Sequence, residues 1–435
     1  MKKTEHINPI LLEPNYYYHL GFPFDLKPAD PTVFEEGYHL GQFASIKEIE
    51  KGLFSAVRDP LGIGKIFYTE TPDGKIHFSE KFADLFAHKS SIYSVPAGTM
   101  VNIGSGGRRE LVRNIGAPKI IDENLYKSAF EKNKDQSVLN FRRRFTTRLE
   151  VLYTQFRELE KNGWTFFVAL SGGLDSTIIA SKAKQFLKNP IACTLDLGKS
   201  EDSEKSQKIA SQLGIKHLVF PTNEEKILQA LEKAPVLCQD FRDFNVHCAA
   251  LNILLASNIK EYIDTQNAID DEKVIILTGD LMNEFTCDYA GEFIDGVEYY
   301  KLPRVGKKAL QDILISGLDT SDREISVFKA YGLNCIQPFA ALYDLYASVP
   351  ESLLKEDDPK KILNSFQVDS VILDFIPKTK LRAQVGSREN MGILGLCHHK
   401  GFNNKTFRHK IIDASGEKDP IIPIFAGRYD VEDFK

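Results

Sequence analysis

Apolar positions recur along this chain with two different periods, and the change from one to the other divides it. Between Phe54 and Phe78 they come in short β-prone runs. Phe67-Tyr68 and Ile76-His77-Phe78 flank Pro72-Asp73-Gly74, which is turn chemistry, so a β-hairpin is predicted. Residues 1 to about 45 are rich in Pro, Tyr, Phe and Gly and sustain no period; short strands and loops are expected there. From about Asp135 to Leu159, Leu139, Phe145, Leu149, Leu152 and Phe156 fall at near-helical spacing and predict one long helix. Ahead of it, Asn102 to about Asp122 carries Gly104, Gly106, Gly107, Gly116 and Pro118 and reads as an interdomain connection.

Beyond that helix the pattern becomes strand, turn, helix, repeated. Thr165 to Leu170 is an apolar run followed by the helix-forming run Thr177 to Leu187. Pro190 to Asp196 reads as a strand, Asp202 to Leu213 as a helix closed by Gly214, and Lys216 to Phe220 as a strand. Val246 to Ser257 follows as a helix and Lys273 to Thr278 as another strand. Strands alternating with helices imply a parallel sheet covered on both faces, with ligands at the carboxyl ends of its strands. The fold class expected is α/β: a doubly wound parallel sheet, preceded by a smaller, mainly β domain, with the two domains spanning 1–120 and 121–435.

The first strand of that series leads into Ser171-Gly172-Gly173-Leu174-Asp175-Ser176. Two glycines let the backbone turn sharply, so that successive amide N–H groups and the positive end of the next helix converge on one small volume. Such a concavity selects anions. The Ser171 and Ser176 hydroxyls add donors. Asp175 would be repelled by a bound phosphate unless a cation lay between them, so it reads as a magnesium ligand. The loop of Ser171 and the turn after Thr278 would share one edge of the sheet.

Composition narrows the partners. The 435 residues carry a formal net charge of −5, which gives no electrostatic reason to expect nucleic acid or an anionic membrane. Met1-Lys2-Lys3 leads into no apolar segment, and no run of about eighteen apolar residues occurs. A cytoplasmic address is the expectation. The six cysteines form no CxxC pair, which argues against a zinc ribbon, an iron-sulfur site or a disulfide framework. Cys397-His398-His399 are read as loop residues, because sequence neighbours rarely point at one ion. Arg142-Arg143-Arg144 reads as a solvated helix face.

Ser171 to Ser176, SGGLDS after a strand, resembles the SGGxDS loop of the PP-loop ATP pyrophosphatases, in particular the asparagine synthetase branch. The resemblance implies that the loop grips pyrophosphate while a substrate oxygen attacks the α phosphorus of ATP, leaving an acyl-adenylate. It places the adenosine near Leu170 and the end of the Cys193 to Leu195 strand. The ATP-binding set implied is Leu170, Ser171, Gly172, Gly173, Asp175, Ser176, Leu195 and Gly279. Gly279 to Phe285 resembles the family's SGxGxDE segment, with Asn283 where the family has Asp. Asp280 or Glu284 is therefore expected to complete the magnesium site, and the metal set is Asp175, Asp280 and Glu284. Asp322-Arg323 and Tyr331 to Phe339 resemble the DR and GLExRxPFLD stretches, with Asn334, Ile336 and Ala341 replacing family residues in a region implied to shape the substrate pocket. Lys378 to Arg382 and Lys400-Gly401-Phe402 resemble the later K-x-x-LR and lysine-loop pieces. Lys400, beside the α phosphate, and Glu284 are the catalytic candidates.

Arg58-Asp59-Pro60-Leu61-Gly62, Phe67-Tyr68 and Ser79-Glu80 resemble pieces of class II glutamine amidotransferase domains, whose nucleophile is an N-terminal cysteine. No cysteine precedes Cys193 here. The front domain is expected to be a truncated amidotransferase-like β scaffold without glutaminase activity. The function implied is an ATP-dependent, AMP-forming ligase that adenylates a small-molecule or peptide carboxylate and forms an amide with an amine or free ammonia, using ATP and Mg2+, with no nucleic acid or membrane partner. It resembles β-lactam synthetases and lasso-peptide cyclases in that plan, which suits specialised or peptide metabolism. The alternatives are a PP-loop modifier of RNA bases and a non-catalytic, nucleotide- or partner-binding descendant.

Overall fold

The computed structural model describes residues 16–19, 39–95, 97–106, 108–114, 132–198, 201–286, 292–299, 323–347, 349, 363–376 and 392–416. The chain divides into two compact units, Met1–Pro118 with Asp312–Asp322 and Ile411–Lys435, and Lys119–Gln311 with Arg323–Lys410.

The first unit is antiparallel β. β1 (Tyr16–His19) pairs with β2 (His39–Gln42). β3 (Ala44–Glu50) and β4 (Leu53–Arg58) come next, followed by β5 (Phe67–Glu70), β6 (Ile76–Ser79) and β7 (Ile92–Ser94), then β8 (Thr99–Gly104) and β9 (Arg108–Asn114). They form a four-stranded sheet in the order β3-β4-β8-β9 and a three-stranded sheet in the order β6-β5-β7. Alternating residues from both sheets, Ala44, Ile46, Phe54 and Ala56 on one side and Tyr68 and Ile76 on the other, share one core. The predicted hairpin is β5-β6, its turn closed by the Gly74 amide donating to the Thr71 carbonyl at 2.8 Å.

Arg58 and Asp59 sit side by side, buried in this unit, and do opposite jobs. The Arg58 guanidinium donates to the carbonyls of Gly62 (2.5 Å), Gly64 (2.6 Å) and Val95 (2.9 Å) and to Ser94 Oγ (3.1 Å). The Asp59 carboxylate accepts from the amides of Phe43, Leu61, Ile63 and Gly64. Burial pushes the Asp59 carboxyl up to about 6, against those donors and the Arg58 charge. The Arg-Asp-Pro-Leu-Gly motif therefore knots a loop on which two sheets depend.

One expectation for this region is corrected. The glycines at 104 and 106 do not open an interdomain connection; residues 99–114 are the β8-β9 hairpin. Gly106, at φ +73, supplies the left-handed residue of its turn, a use that composition does not separate from linker use. Residues 115–131 lie outside the described residues.

The second unit begins with α1 (Lys134–Lys161), which buries Phe141, Phe145, Leu149, Leu152 and Phe156. Leu139, counted among its core positions from the sequence, is 59% exposed. It lies two residues from Phe141, about 200° around the helix. Strand β10 (Thr165–Ala169) follows, then α2 (Leu174–Phe186), β11 (Ile191–Asp196), α3 (Glu201–Leu213) and β12 (Lys216–Pro221). Two helices, α4 (Glu224–Cys238) and α5 (Asp243–Asp264), then lead to β13 (Val274–Leu277). α4, with Pro235 inside it, has no counterpart in the periodicity reading; the Asn223 side chain caps it by accepting from the Lys226 amide at 2.9 Å. Short α6 (Met282–Thr286), the hairpin β14 (Glu292–Ile294) and β15 (Val297–Tyr299), α7 (Arg323–Ala330), β16 (Asn334–Ile336), α8 (Tyr343–Ala347) and α9 (Gly392–Lys400) complete the elements used below.

The main sheet has the order β12-β11-β10-β13-β16, every pair parallel. The chain builds outward from β10 to β12 and then returns to place β13 on the other side of β10. The order in which strands are added thus reverses between β10 and β13, which is where a doubly wound sheet opens a crevice at its carboxyl edge. Among the described residues no helix is long and apolar enough to cross a membrane.

Candidate nucleotide-binding site

The SGGLDS loop fills that crevice from the β10 side. Leu170 continues the strand by donating its amide to the Cys193 carbonyl at 2.9 Å. Gly172 then turns at φ +73, and a side chain on it would meet Lys205 Cβ at 3.2 Å and Ser206 Oγ at 3.3 Å, so conformation and space both require glycine. The Ser176 hydroxyl closes the loop from inside: it donates to the Gly173 carbonyl (3.1 Å) and accepts from the Ser171 amide (3.2 Å) and the Ser171 hydroxyl (3.1 Å). Thr177 Oγ1 also donates to the Gly173 carbonyl, at 2.7 Å. Gly173 is the cap residue of α2 and no side chain caps that helix, so its first-turn amides face the crevice with Asp175 among them.

The β13 side approaches this helix start closely. A Cβ built on Gly279 would lie 2.8 Å from the Ser176 amide nitrogen and 3.0 Å from the Asp175 carbonyl carbon. The next residues turn away through Leu281, which sits at φ +81, a region that a branched side chain rarely adopts. Asp280 is half-buried, Asn283 exposed and Glu284 buried at 5% exposure. The two aspartates influence different neighbours. Burial drives the Tyr346 phenol well above its ordinary range and the Asp175 charge adds to this, while burial and then the charges of Glu324 and Asp280 do the same to the Cys335 thiol. Behind Asp175, Tyr346 donates to Asn364 Oδ1 at 2.5 Å and Asn364 Nδ2 lies 3.0 Å from Met282 Sδ.

Of the residues expected here, the structure brings Leu170, Ser171, Gly172, Gly173, Asp175, Ser176 and Gly279 together. It treats others differently. The expected metal set of Asp175, Asp280 and Glu284 does not form a ready-made cage: among the described residues no three His, Cys, Asp or Glu side chains converge on one point. Magnesium held through one or two carboxylates and substrate phosphates needs no such cage. Leu195 is half-buried at the end of β11 and packs against the core of α4 and α5. Lys400 is the last residue of α9, and its Nζ pairs with Glu224 Oε1 at 3.2 Å, at the start of α4 beyond the edge strand β12. Cys397, His398 and His399 lie in the last turn of that helix and not in a loop; His398 Nδ1 is 2.9 Å from the Tyr299 hydroxyl. Lys378 to Arg382 and Asp322 lie outside the described residues.

Of the departures noted, Asn334 lies at the far end of its strand, whereas Ile336 ends β16 at the loop's edge of the sheet, its carbonyl accepting from the Thr278 amide at 3.1 Å, and Ala341 follows it in sequence. Asn334 starts β16 beside the start of β13 and donates to the Val274 carbonyl at 3.0 Å. Ile336 is buried in the sheet, and the buried Ala341 accepts a hydrogen bond from Arg148 at 3.2 Å. What sequence reasoning missed is the support behind Leu170: Thr194, Ser206 and His217 carry no linear motif, and only the sheet order brings them together.

Fold and loop define a doubly wound PP-loop domain whose glycine loop lies at its topological switch. Residues 164–280, from just ahead of β10 through Asp280, match the family described as asparagine synthase, so this segment is an asparagine synthetase-like PP-loop domain. That places it among ATP-using, ligase-type proteins. A solved structure, the NMN synthetase of Francisella tularensis, is similar over 55% of this chain and 96% of its own, at 15% identity and a TM-score of 0.24. No curated protein sequence matches the chain.

Proposed function

We propose that the protein is an AMP-forming, ATP-dependent amide ligase. The observation that carries this reading is the uncapped start of α2, wrapped by Ser171 to Gly173 and closed from the other side by Gly279. Backbone amides there would hold the β and γ phosphates. A substrate carboxylate oxygen attacks the α phosphorus, the bond to the bridging oxygen breaks, and pyrophosphate leaves. An amine nitrogen then attacks the acyl carbon, loses a proton, and AMP departs with the electrons of the acyl-oxygen bond.

Asp175, on the first turn of α2, and Asp280, past the end of β13, are the carboxylates that would hold a magnesium ion. The ion would neutralise the leaving pyrophosphate. Glu284, buried under the turn, is the further carboxylate proposed for the metal and the chemistry at this edge. Lys400 is the cation proposed for the α phosphate; an exposed pair such as Lys400–Glu224 contributes less than about 1 kcal/mol and exchanges readily for a phosphate. In this reading nitrogen comes from an amine or free ammonia. The acceptor would be a small molecule or a peptide, and a cytoplasmic address fits such chemistry. Asn334 ties two strands together, so its presence does not favour the non-catalytic alternative.

The test is ATP–pyrophosphate exchange with magnesium across amino acids, amino-carboxylates and short peptides, with Asp175→Ala as control. Exchange with one substrate, lost in the control, identifies the carboxylate. No exchange and no ATP binding by the wild type would sink the ligase reading.

A further inference from the structure

The carbonyl of Leu170, the residue just before the loop, is held by two buried hydroxyls. Thr194 Oγ1, on β11, lies 2.6 Å from it and Ser206 Oγ, on α3, lies 3.2 Å from it. Thr194 Oγ1 is in turn 2.8 Å from His217 Nε2, on β12. A threonine hydroxyl has one proton, and here it goes to the Leu170 carbonyl, so the Thr194 oxygen must accept from His217. That fixes the imidazole as the tautomer with its proton on Nε2. Three adjacent strands and one helix are thereby linked in a single direction, from His217 through Thr194 to Leu170. Burial lowers the His217 pKa, which keeps the ring neutral.

The consequence reaches the loop in two ways. The Leu170 carbonyl plane is the same peptide plane as the Ser171 amide, so pinning the oxygen aims that N–H, which closes the loop on Ser176 Oγ at 3.2 Å. Ser206 also sits where a side chain on Gly172 would be, at 3.3 Å, so the hydroxyl that holds Leu170 walls the loop's glycine. With its amide bonded to Cys193 and both carbonyl lone pairs engaged, Leu170 has no backbone group left to read an adenine.

We infer that Thr194, Ser206 and His217 are positioning residues for the nucleotide loop: they set the Leu170–Ser171 peptide plane and so the direction in which the loop's amides point. The role in nucleotide affinity rests on the ligase reading above; the loop geometry does not.

The experiment therefore has two readouts on folded, full-length protein: hydrogen exchange of the Ser171 to Ser176 amides without ligand, and the dissociation constant of magnesium-ATP. Thr194→Val, of nearly equal volume, is expected to speed exchange across the loop about tenfold while the rest of β10 is unchanged, and to weaken ATP by a similar factor. Thr194→Ser restores both to within about twofold. His217→Leu, one link further out, produces a smaller change of the same kind. Loop exchange in Thr194→Val equal to wild type overturns the proposal, whatever happens to ATP. Faster exchange with unchanged ATP affinity overturns the functional half of it, leaving a purely structural clamp. If the wild type itself binds no ATP, the ligase reading fails while the exchange measurement still decides the positioning.

Discussion

Gly279 lies so close to Ser176 that a methyl group on it would stand 2.8 Å from the Ser176 amide nitrogen. Ser176 lies in the first turn of α2, after β10, and Gly279 just past β13, on either side of the point where strand order reverses. The contact is backbone against backbone, so no side-chain rotation can relieve it. Gly279→Ala is expected to cost about 1–3 kcal/mol of stability, as overpacking at a rigid site does. Because the strain falls on the amides that face the crevice, nucleotide affinity should fall further than stability. A thermal melt alongside an ATP titration checks this; an unchanged melt with unchanged binding would show that the two segments move apart freely.

His247 gives the second unit an acid sensitivity of definite sign. It is fully buried in α5, edge-on to Phe407, and burial pulls its pKa down to about 3. In the unfolded chain it titrates near 6.5. The folded state therefore resists a proton that the unfolded state accepts. Its stabilising contribution is complete above about pH 6.5 and is lost as pH falls toward 3, at up to about 1.4 kcal/mol per pH unit. Urea unfolding at pH 7.5, 5.5 and 4.5 should show the decline, and His247→Leu should flatten it. A mutant slope equal to that of the wild type would mean the folded chain accommodates the charged ring.

Arg58 is expected to be irreplaceable in the first unit. Its removal would take the guanidinium donors from the Gly62 and Gly64 carbonyls and Ser94 Oγ in a buried loop, while the Val95 carbonyl keeps the Ser94 hydroxyl at 3.2 Å. At about 1–3 kcal/mol for each buried acceptor left unsatisfied, Arg58→Ala should unfold this β unit or bring it close to unfolding. Arg58→Lys should do little better, because an ammonium cannot span four acceptors arranged around a planar fork. Limited proteolysis within residues 39–114 reports the loss. Resistance equal to wild type in the lysine variant would show that charge, not geometry, holds the knot.

The sequence by itself determined what depends on near neighbours along the chain. The strand, glycine turn and helix of Thr165 to Phe186, the alternation that makes a parallel sheet, the 67–78 hairpin and the length of α1 all follow from periodicity and turn chemistry, which are local. The same locality explains the failures. Leu139 fits a helical count but points away from the core, because only the packed partner says which face of a helix is buried. Gly104 and Gly106 have the composition of a linker, and only the pairing of β8 with β9 makes the first a strand end and the second a turn residue. Asn334 departs from a family pattern, yet its side chain serves the far end of a strand. Tertiary structure alone decided that Gly279 would touch Ser176, and that Thr194, Ser206 and His217 would converge on Leu170. Those contacts join segments 23 to over 100 residues apart, and they exist because a parallel sheet stacks strand ends in an order that no local period encodes.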